Sequence, residues 1–425
     1  MTQSFIIISF FVLLFMGVPI AISLTLSALA YMVLFVDIPP IIIAQQILSG
    51  ADKFTLLALP FFMIAGSLME YGGISKRIVG FCRALVGPLP GGTAMVTIVS
   101  SMIFAAMTGS GAATTAAVGA MMIPAMIEEH YDADWACALQ ASAGIMGPLI
   151  PPSTLMVLYG VTAGVSIGDM LLAGMVPGLL MGLLLILLAT FICLRRGYGS
   201  ACKFNLKEVL VNFKKAIWAL LTPAIILGGI YSGKFTPTEA AGVACFYALI
   251  VGLFVYRELT WRNVLQVLYK SFKLAACIML IVGATQAYGW VLTREGIPQA
   301  IAVWFTTVIS NPTVFLFAVC GMLLVAGCLL DAVPALLLFA PILCPTAASY
   351  DIDLMHFGVI MVFTLCLGLV TPPVGLNLFV SSSVGKRPTH KIIPHLPPFL
   401  ITMLIGMILV VLIPEISTFL PGLQG

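Results

Sequence analysis

Charge is what this chain of 425 residues has least of: only 8% is Asp, Glu, Lys or Arg. An ordinary soluble domain carries about 25%, so a soluble enzyme or binding module is excluded as the main body. The 10 cysteines are scattered singly with no Cys-x-x-Cys pair, and they read as small core hydrophobes without a metal site or a disulfide framework. His-Glu-x-x-His is missing, which excludes a zinc protease of that type. His130, His356, His390 and His395 lie near predicted ends or loops without metal-ligand spacing. No chain of buried carboxylates and histidines is present, which argues against proton-relay chemistry. Met1-Thr2-Gln3-Ser4 lacks the basic n-region of a cleavable signal peptide, so the first apolar run is expected to stay.

What is there is hydrocarbon. Apolar residues make up 61% of the chain and the mean hydropathy is +1.16. Stretches of spanning length recur from end to end. Inside two of them the same break occurs: Gly147-Pro148-Leu149-Ile150-Pro151-Pro152-Ser153 recurs as Gly368-Leu369-Val370-Thr371-Pro372-Pro373-Val374. Consecutive prolines remove backbone donors and clash with the preceding turn, so each helix must be interrupted. At bilayer depth the freed carbonyls are tolerated only where they are buried in protein or line a cavity. A paired break of this kind points to the central site of a secondary transporter.

The duplication extends further. At the same offset Pro124 falls on Pro345 and Asp132 on Asp353; with small shifts, Gly66 falls on Gly289 and Gly73-Ile74 on Gly296-Ile297. These matches imply an internal repeat: a first half over 1–195, a linker over 196–213 and a second half over 214–425. The first half shows spans near 4–17, 19–36 and 54–70, a basic segment 75–90, an apolar pair 93–109 and 112–127, a broken span 134–165 and a span 169–194. The second shows 214–231, 237–256, 271–292, a segment 297–310, a pair 313–329 and 332–348, a broken span 354–385 and a last span 395–420. Each arm of the apolar pairs is roughly 24 Å long as helix, short for a ~30 Å hydrocarbon core. They read as re-entrant hairpins 93–127 and 313–348 with tight tips.

The predicted fold is therefore an all-α polytopic membrane protein of two inverted-topology repeats, each with five spanning helices, one of them broken. Charge placement agrees with this topology. With the 195–215 loop in the cytoplasm, all but Lys53, Lys234 and Arg294 of the 19 Lys and Arg residues lie inside, as the positive-inside rule requires. Both chain ends then lie outside.

Each hairpin tip is expected to meet the broken span of its own half. The first set comprises Ser110 and the Gly147, Ile150 and Pro152 carbonyls, with Thr114, Thr115, Ser153 and Thr154 close by. The second comprises Asp331, the Gly368 and Pro373 carbonyls, Thr371 and Asn377. Hard oxygen ligands of low charge suit Na⁺, with at least two sites expected. Thr114, Thr115, Ser153, Thr154, Gly375 and Asn377 are the candidates for contacting the cargo. The alternative is that the hydroxyls merely cap helix ends and the prolines merely kink. Asp331 is the one acidic residue between Glu295 and Asp351, and an ionisable group at this depth is a functional candidate by default. It is also a fitting N-cap. No Lys or Arg lies in these motifs, so a carboxylate would be held by helix N-termini, hydroxyls and amides. Glu70, at the inner end of a span, reads as interfacial, and Thr236-Pro237-Thr238-Glu239 as a capping box. An intramembrane aspartyl protease would need Gly-x-Gly-Asp, where Ser166-Ile167-Gly168-Asp169 has Ser first. No enzyme is expected.

These residues resemble the large membrane (M) subunit of the tripartite ATP-independent periplasmic, or TRAP, transporters, essentially from end to end. The resemblance is carried by Leu59-Pro60-Phe61-Phe62 with Ala65-Gly66, Gly109-Ser110-Gly111-Ala112-Ala113-Thr114, Ile150-Pro151-Pro152-Ser153, Phe235-Thr236-Pro237-Thr238-Glu239-Ala240-Ala241 and Thr371-Pro372-Pro373-Val374-Gly375-Leu376-Asn377. The pattern departs from the commoner one at Gly111 and Ala332. The resemblance implies a Na⁺-driven importer of a carboxylate solute (sugar acid, sialic acid or C4-dicarboxylate) in a bacterial inner membrane. It implies an elevator mechanism, with segments 75–90 and 297–310 as arm helices. It also implies two partners: a small four-helix membrane subunit of Q type and a soluble periplasmic substrate-binding protein of P type. A stand-alone Na⁺/carboxylate symporter of the same superfamily is the alternative.

Overall fold

The computed structural model describes residues 2–36, 38–198 and 204–423, and among them every regular element is helical. Lipid offers the backbone no hydrogen-bond partner, so apolar runs satisfy it within each segment. The chain begins with α1 (Thr2–Phe15), α2 (Ile20–Phe35), α3 (Ile41–Ala51) and α4 (Ala58–Tyr71). α5 (Ile74–Val86) leads into the first hairpin, α6 (Gly92–Thr108) and α7 (Gly111–Glu128). The first broken span is α8 (Ala133–Ala143), α9 (Met146–Leu149) and α10 (Thr154–Ala163), bent by 41°. α11 (Ile167–Arg196) closes the half.

The second half repeats the order with α12 (Leu206–Tyr231), α13 (Pro237–Ile250), α14 (Trp261–Arg294) and α15 (Ile297–Val308). Its hairpin is α16 (Pro312–Leu329) and α17 (Ala332–Ala348), and its broken span α18 (Leu354–Gly368) and α19 (Leu376–Gly385). α20 (Thr389–Ile392), α21 (Pro397–Leu412) and α22 (Glu415–Gly422) complete the chain. Among the described residues, seven helices are long and apolar enough to cross a membrane, or up to nine if each bent pair is one span. Two hairpin arms, α7 and α16, are among the seven at 18 residues each.

Four elements differ from expectation, the last of them the span predicted over 395–420, which is two helices, α21 and α22, parted at Ile413-Pro414. α3 is absent from the predicted list: at 11 residues it is too short to register as a span, and it is held by packing on α14. α14 has 34 residues, because its first turns carry Arg262, Asn263, Gln266 and Lys270 and so lie outside any apolar window. α12 likewise starts at Leu206, which shortens the connecting loop; residues 199–203 of that loop lie outside the described residues.

α1 to α4 and α12 to α14 pack largely among themselves, as do α6 to α11 with α16 to α22. α5 touches both groups through α12 and α6, and α15 does so through α14 and α17. Each of these bridging helices starts at a left-handed glycine, Gly73 (φ +74°) and Gly296 (φ +68°). The first is clasped: Arg77 Nη1 donates to Glu258 Oε1 at 2.8 Å and to the Gly73 carbonyl at 2.7 Å.

Candidate functional site around the hairpin tips

At the first tip, Gly109 ends α6 with φ +61°, and its carbonyl accepts from Thr154 Oγ1 at 3.0 Å. The tip therefore sits on the first break. Gly147 makes the closest approach, since a methyl group there would fall 2.4 Å from the Ser110 carbonyl carbon and oxygen. Ser110 caps α7, accepting from the Ala113 N–H at 3.5 Å. Thr114 Oγ1 donates to the Ser110 carbonyl and Thr115 Oγ1 to that of Gly111, both at 2.9 Å. Ser153 Oγ donates to the Pro148 carbonyl and accepts from the Met156 N–H at 3.2 Å. Ile150 and Pro152 lie in the buried stretch between α9 and α10. Every one of these hydroxyls caps or braces backbone, yet each oxygen keeps a lone pair free for a ligand.

The second tip is built the same way with different chemistry. Asp331 caps α17, accepting from the Ala332 N–H at 2.8 Å, and its side chain is exposed. The Gly368 methyl position lies 2.5 Å from the Gly327 carbonyl carbon, so this break too sits on its own hairpin. Thr371 Oγ1 donates to the Leu367 carbonyl at 2.8 Å. Gly375 is left-handed at φ +57°, with the Thr371 carbonyl 3.2 Å from where a methyl would be. Pro373 is exposed, and both double prolines contain a cis peptide bond.

One residue changes sides. Asn377, grouped by sequence with the second set, lies against the first tip. A methyl on Gly111 would meet its amide at 3.0 and 3.1 Å, and Nδ2 donates to the Ala141 carbonyl at 3.5 Å. The cause is that α19, on leaving the second break, packs along α7 and α8 of the first half. Reciprocally α10 leaves the first break and packs on α17.

The two tips share one cavity of about 330 Å³, within the ~300–1,000 Å³ of small-molecule sites. Ser110 to Ala113 and Asp331 to Pro334 form one wall, joined by Thr154 and Leu155. The opposite wall is α4 and α14, through Met63, Gly66, Ser67 and Glu70 and through Leu274, Cys277, Ile278 and Ile281. Asp331 and Glu70 are its charged side chains; no Lys or Arg lines it. Glu70 is therefore a wall residue, which the reading of it as merely interfacial missed. Its spacing of three, four and seven residues from Ser67, Gly66 and Met63 was the available signal. Next to Glu70 in the chain, the Tyr71 hydroxyl accepts from Lys270 Nζ at 3.2 Å.

Residues 7–416 match the family described as "Tripartite ATP-independent periplasmic transporter, DctM component". The chain belongs to this TRAP large-permease family. It is 40% identical over 411 residues to the sialic acid TRAP transporter large permease SiaM of Vibrio cholerae, covering 97% of this chain and 96% of that one. It is 41% identical over 403 residues to the C4-dicarboxylate TRAP transporter large permease DctM of Pseudomonas aeruginosa, covering 95% and 94%. The YdaH transporter of Alcanivorax borkumensis has the same fold at TM-score 0.63 and 14% identity, with 87% and 86% covered. A TRAP large permease is a multi-pass membrane protein that works with a small membrane subunit and a periplasmic binding protein.

Proposed function

We propose that this TRAP permease subunit imports a carboxylate-containing solute by Na⁺ coupling and an elevator movement. One observation carries the reading: two helix breaks, each seated on a hairpin tip, surround one cavity whose polar groups include carbonyls, hydroxyls and two carboxylates, Asp331 and Glu70. Low-charge oxygen ligands beside helix C-termini such as those of α9 and α18 suit Na⁺. Ser110, Gly147, Ile150 and Pro152 would hold one ion, and Asp331, Gly368, Thr371 and Pro373 a second. Thr154 lines the cavity and would contact the cargo; Thr114, Thr115 and Ser153, fully buried behind it, and Gly375 would brace that wall, with Asn377 reaching the first tip. The repeats over 1–195 and 214–425 are then inverted, and α5 and α15 are the arms between the scaffold and the moving hairpins.

The cargo class rests on the relatives, whose names give sialic acid, C4-dicarboxylates and 2,3-diketo-L-gulonate. The test is uptake of radiolabelled sialic acid and succinate into proteoliposomes. Uptake is expected only with the small subunit, a cognate binding protein and an inward Na⁺ gradient. Equal uptake by this chain alone would make it a self-sufficient symporter. For the topology, Lys207→Cys at the exposed start of α12 should react with an impermeant thiol reagent only from the cytoplasmic side. Reaction from outside would reverse the orientation.

A further inference from the structure

A second cavity of about 290 Å³ lies on the other side of the hairpin tips, and no role has been given to it. It uses the same three helices as the central cavity, about two turns further along each. On α10 the lining moves from Thr154 and Leu155 to Val161 and Thr162; on α17 it moves from Asp331–Pro334 to Leu337 and Pro341. On α14 it moves from Leu274–Ile281 to Val282–Thr293. Two turns of helix are ~10 Å.

The chemistry of the two walls differs. The scaffold wall of the central cavity offers Glu70, whereas that of the second offers Lys53, Thr285, Gln286 and Thr293. Thr285 is 5% exposed and its hydroxyl has no hydrogen-bond partner among the described residues. Lys53 makes no ion pair among them, although it also lines the neighbouring cavity that holds Asp52. A free ammonium, two hydroxyls and an amide, beside the Trp290 ring, match a carboxylate that carries hydroxyl groups.

We propose that this second cavity is the outer vestibule of the permease, where Lys53 is the cation that recruits an anionic hydroxy-acid cargo. The inference rests on the elevator reading above. Sliding the hairpins outward by about two turns sets Asp331 and Thr154 opposite Thr285, Gln286 and Thr293. The scaffold then presents a positive wall to arriving cargo and, through Glu70, a negative wall where cargo leaves. A fixed charge gradient from Lys53, just ahead of α4, to Glu70 near its far end would favour capture outside and release inside.

The test uses spheroplasts expressing both membrane subunits in a Cys277→Ser background, with Gln286→Cys as reporter. Impermeant methanethiosulfonates, one anionic and one cationic, are added from outside. The anionic-to-cationic rate ratio is expected to fall about tenfold on Lys53→Gln and to be retained in Lys53→Arg. A ratio that ignores Lys53 overturns the proposal. So does a Gln286→Cys that labels under no condition, because the cavity is then sealed from outside. In uptake assays Lys53→Gln should raise KM with kcat held. Charge-selective labelling without any Na⁺-coupled uptake would instead sink the importer reading and leave the vestibule standing.

Discussion

Asp331→Asn is expected to cut Na⁺-dependent uptake by at least about tenfold and to raise the half-saturating Na⁺ concentration, while the protein still inserts and folds. Asn remains a competent N-cap for α17, so the helix start survives the change. What is lost is one negative charge at a tip whose other groups are neutral. A unit charge ~4 Å from a cation contributes about 4 kcal/mol at an effective dielectric near 20. Even a third of that, after the costs of desolvation, is a tenfold loss in affinity. Radiolabelled-cargo uptake across a Na⁺ titration decides it. An unchanged Na⁺ dependence in a well-inserted variant removes Asp331 from the ion site.

Gly147→Ala and Gly368→Ala should be the next most damaging single changes. The added methyl of the first would sit 2.4 Å from the Ser110 backbone, and that of the second 2.5 Å from Gly327. A flexible side chain could swing aside, but backbone in a hairpin cannot without moving the tip. Overpacking of this kind costs about 1–3 kcal/mol, and here the strain falls on the breaks that carry the proposed ion ligands. Uptake is expected to drop to background, with a lowered melting temperature in detergent. Gly242→Ala is the control, because nothing lies within 4 Å of its methyl position. Normal uptake by either tip variant would show that these breaks do not shape the site.

Much of this arrangement was legible because its markers are local. Pro151-Pro152 and Pro372-Pro373 interrupt a helix wherever they stand, and Gly109-Ser110-Gly111 ends one helix and caps the next. The tips therefore fell where the sequence placed them, at Ser110 and Asp331. What escaped depends on partners distant in the chain. α3 is stable only because α14 covers it, and nothing in Ile41 to Ala51 announces that neighbour. Glu70 looks interfacial until α14 and Asp331 close the space in front of it. Asn377 is six residues from Thr371, and its move to Gly111 follows from the path of α19 alone.

That path has a mechanical outcome. Because α19 rides on α7 while α10 rides on α17, each hairpin is packed against a helix of the opposite half, and the two proposed ion cages would be mechanically joined. A cage that loosened when empty would drag its twin out of shape, so a half-loaded carrier would be yoked in place. Slippage, in which one ion leaks through without cargo, would then be resisted by the interlocking of the two halves themselves.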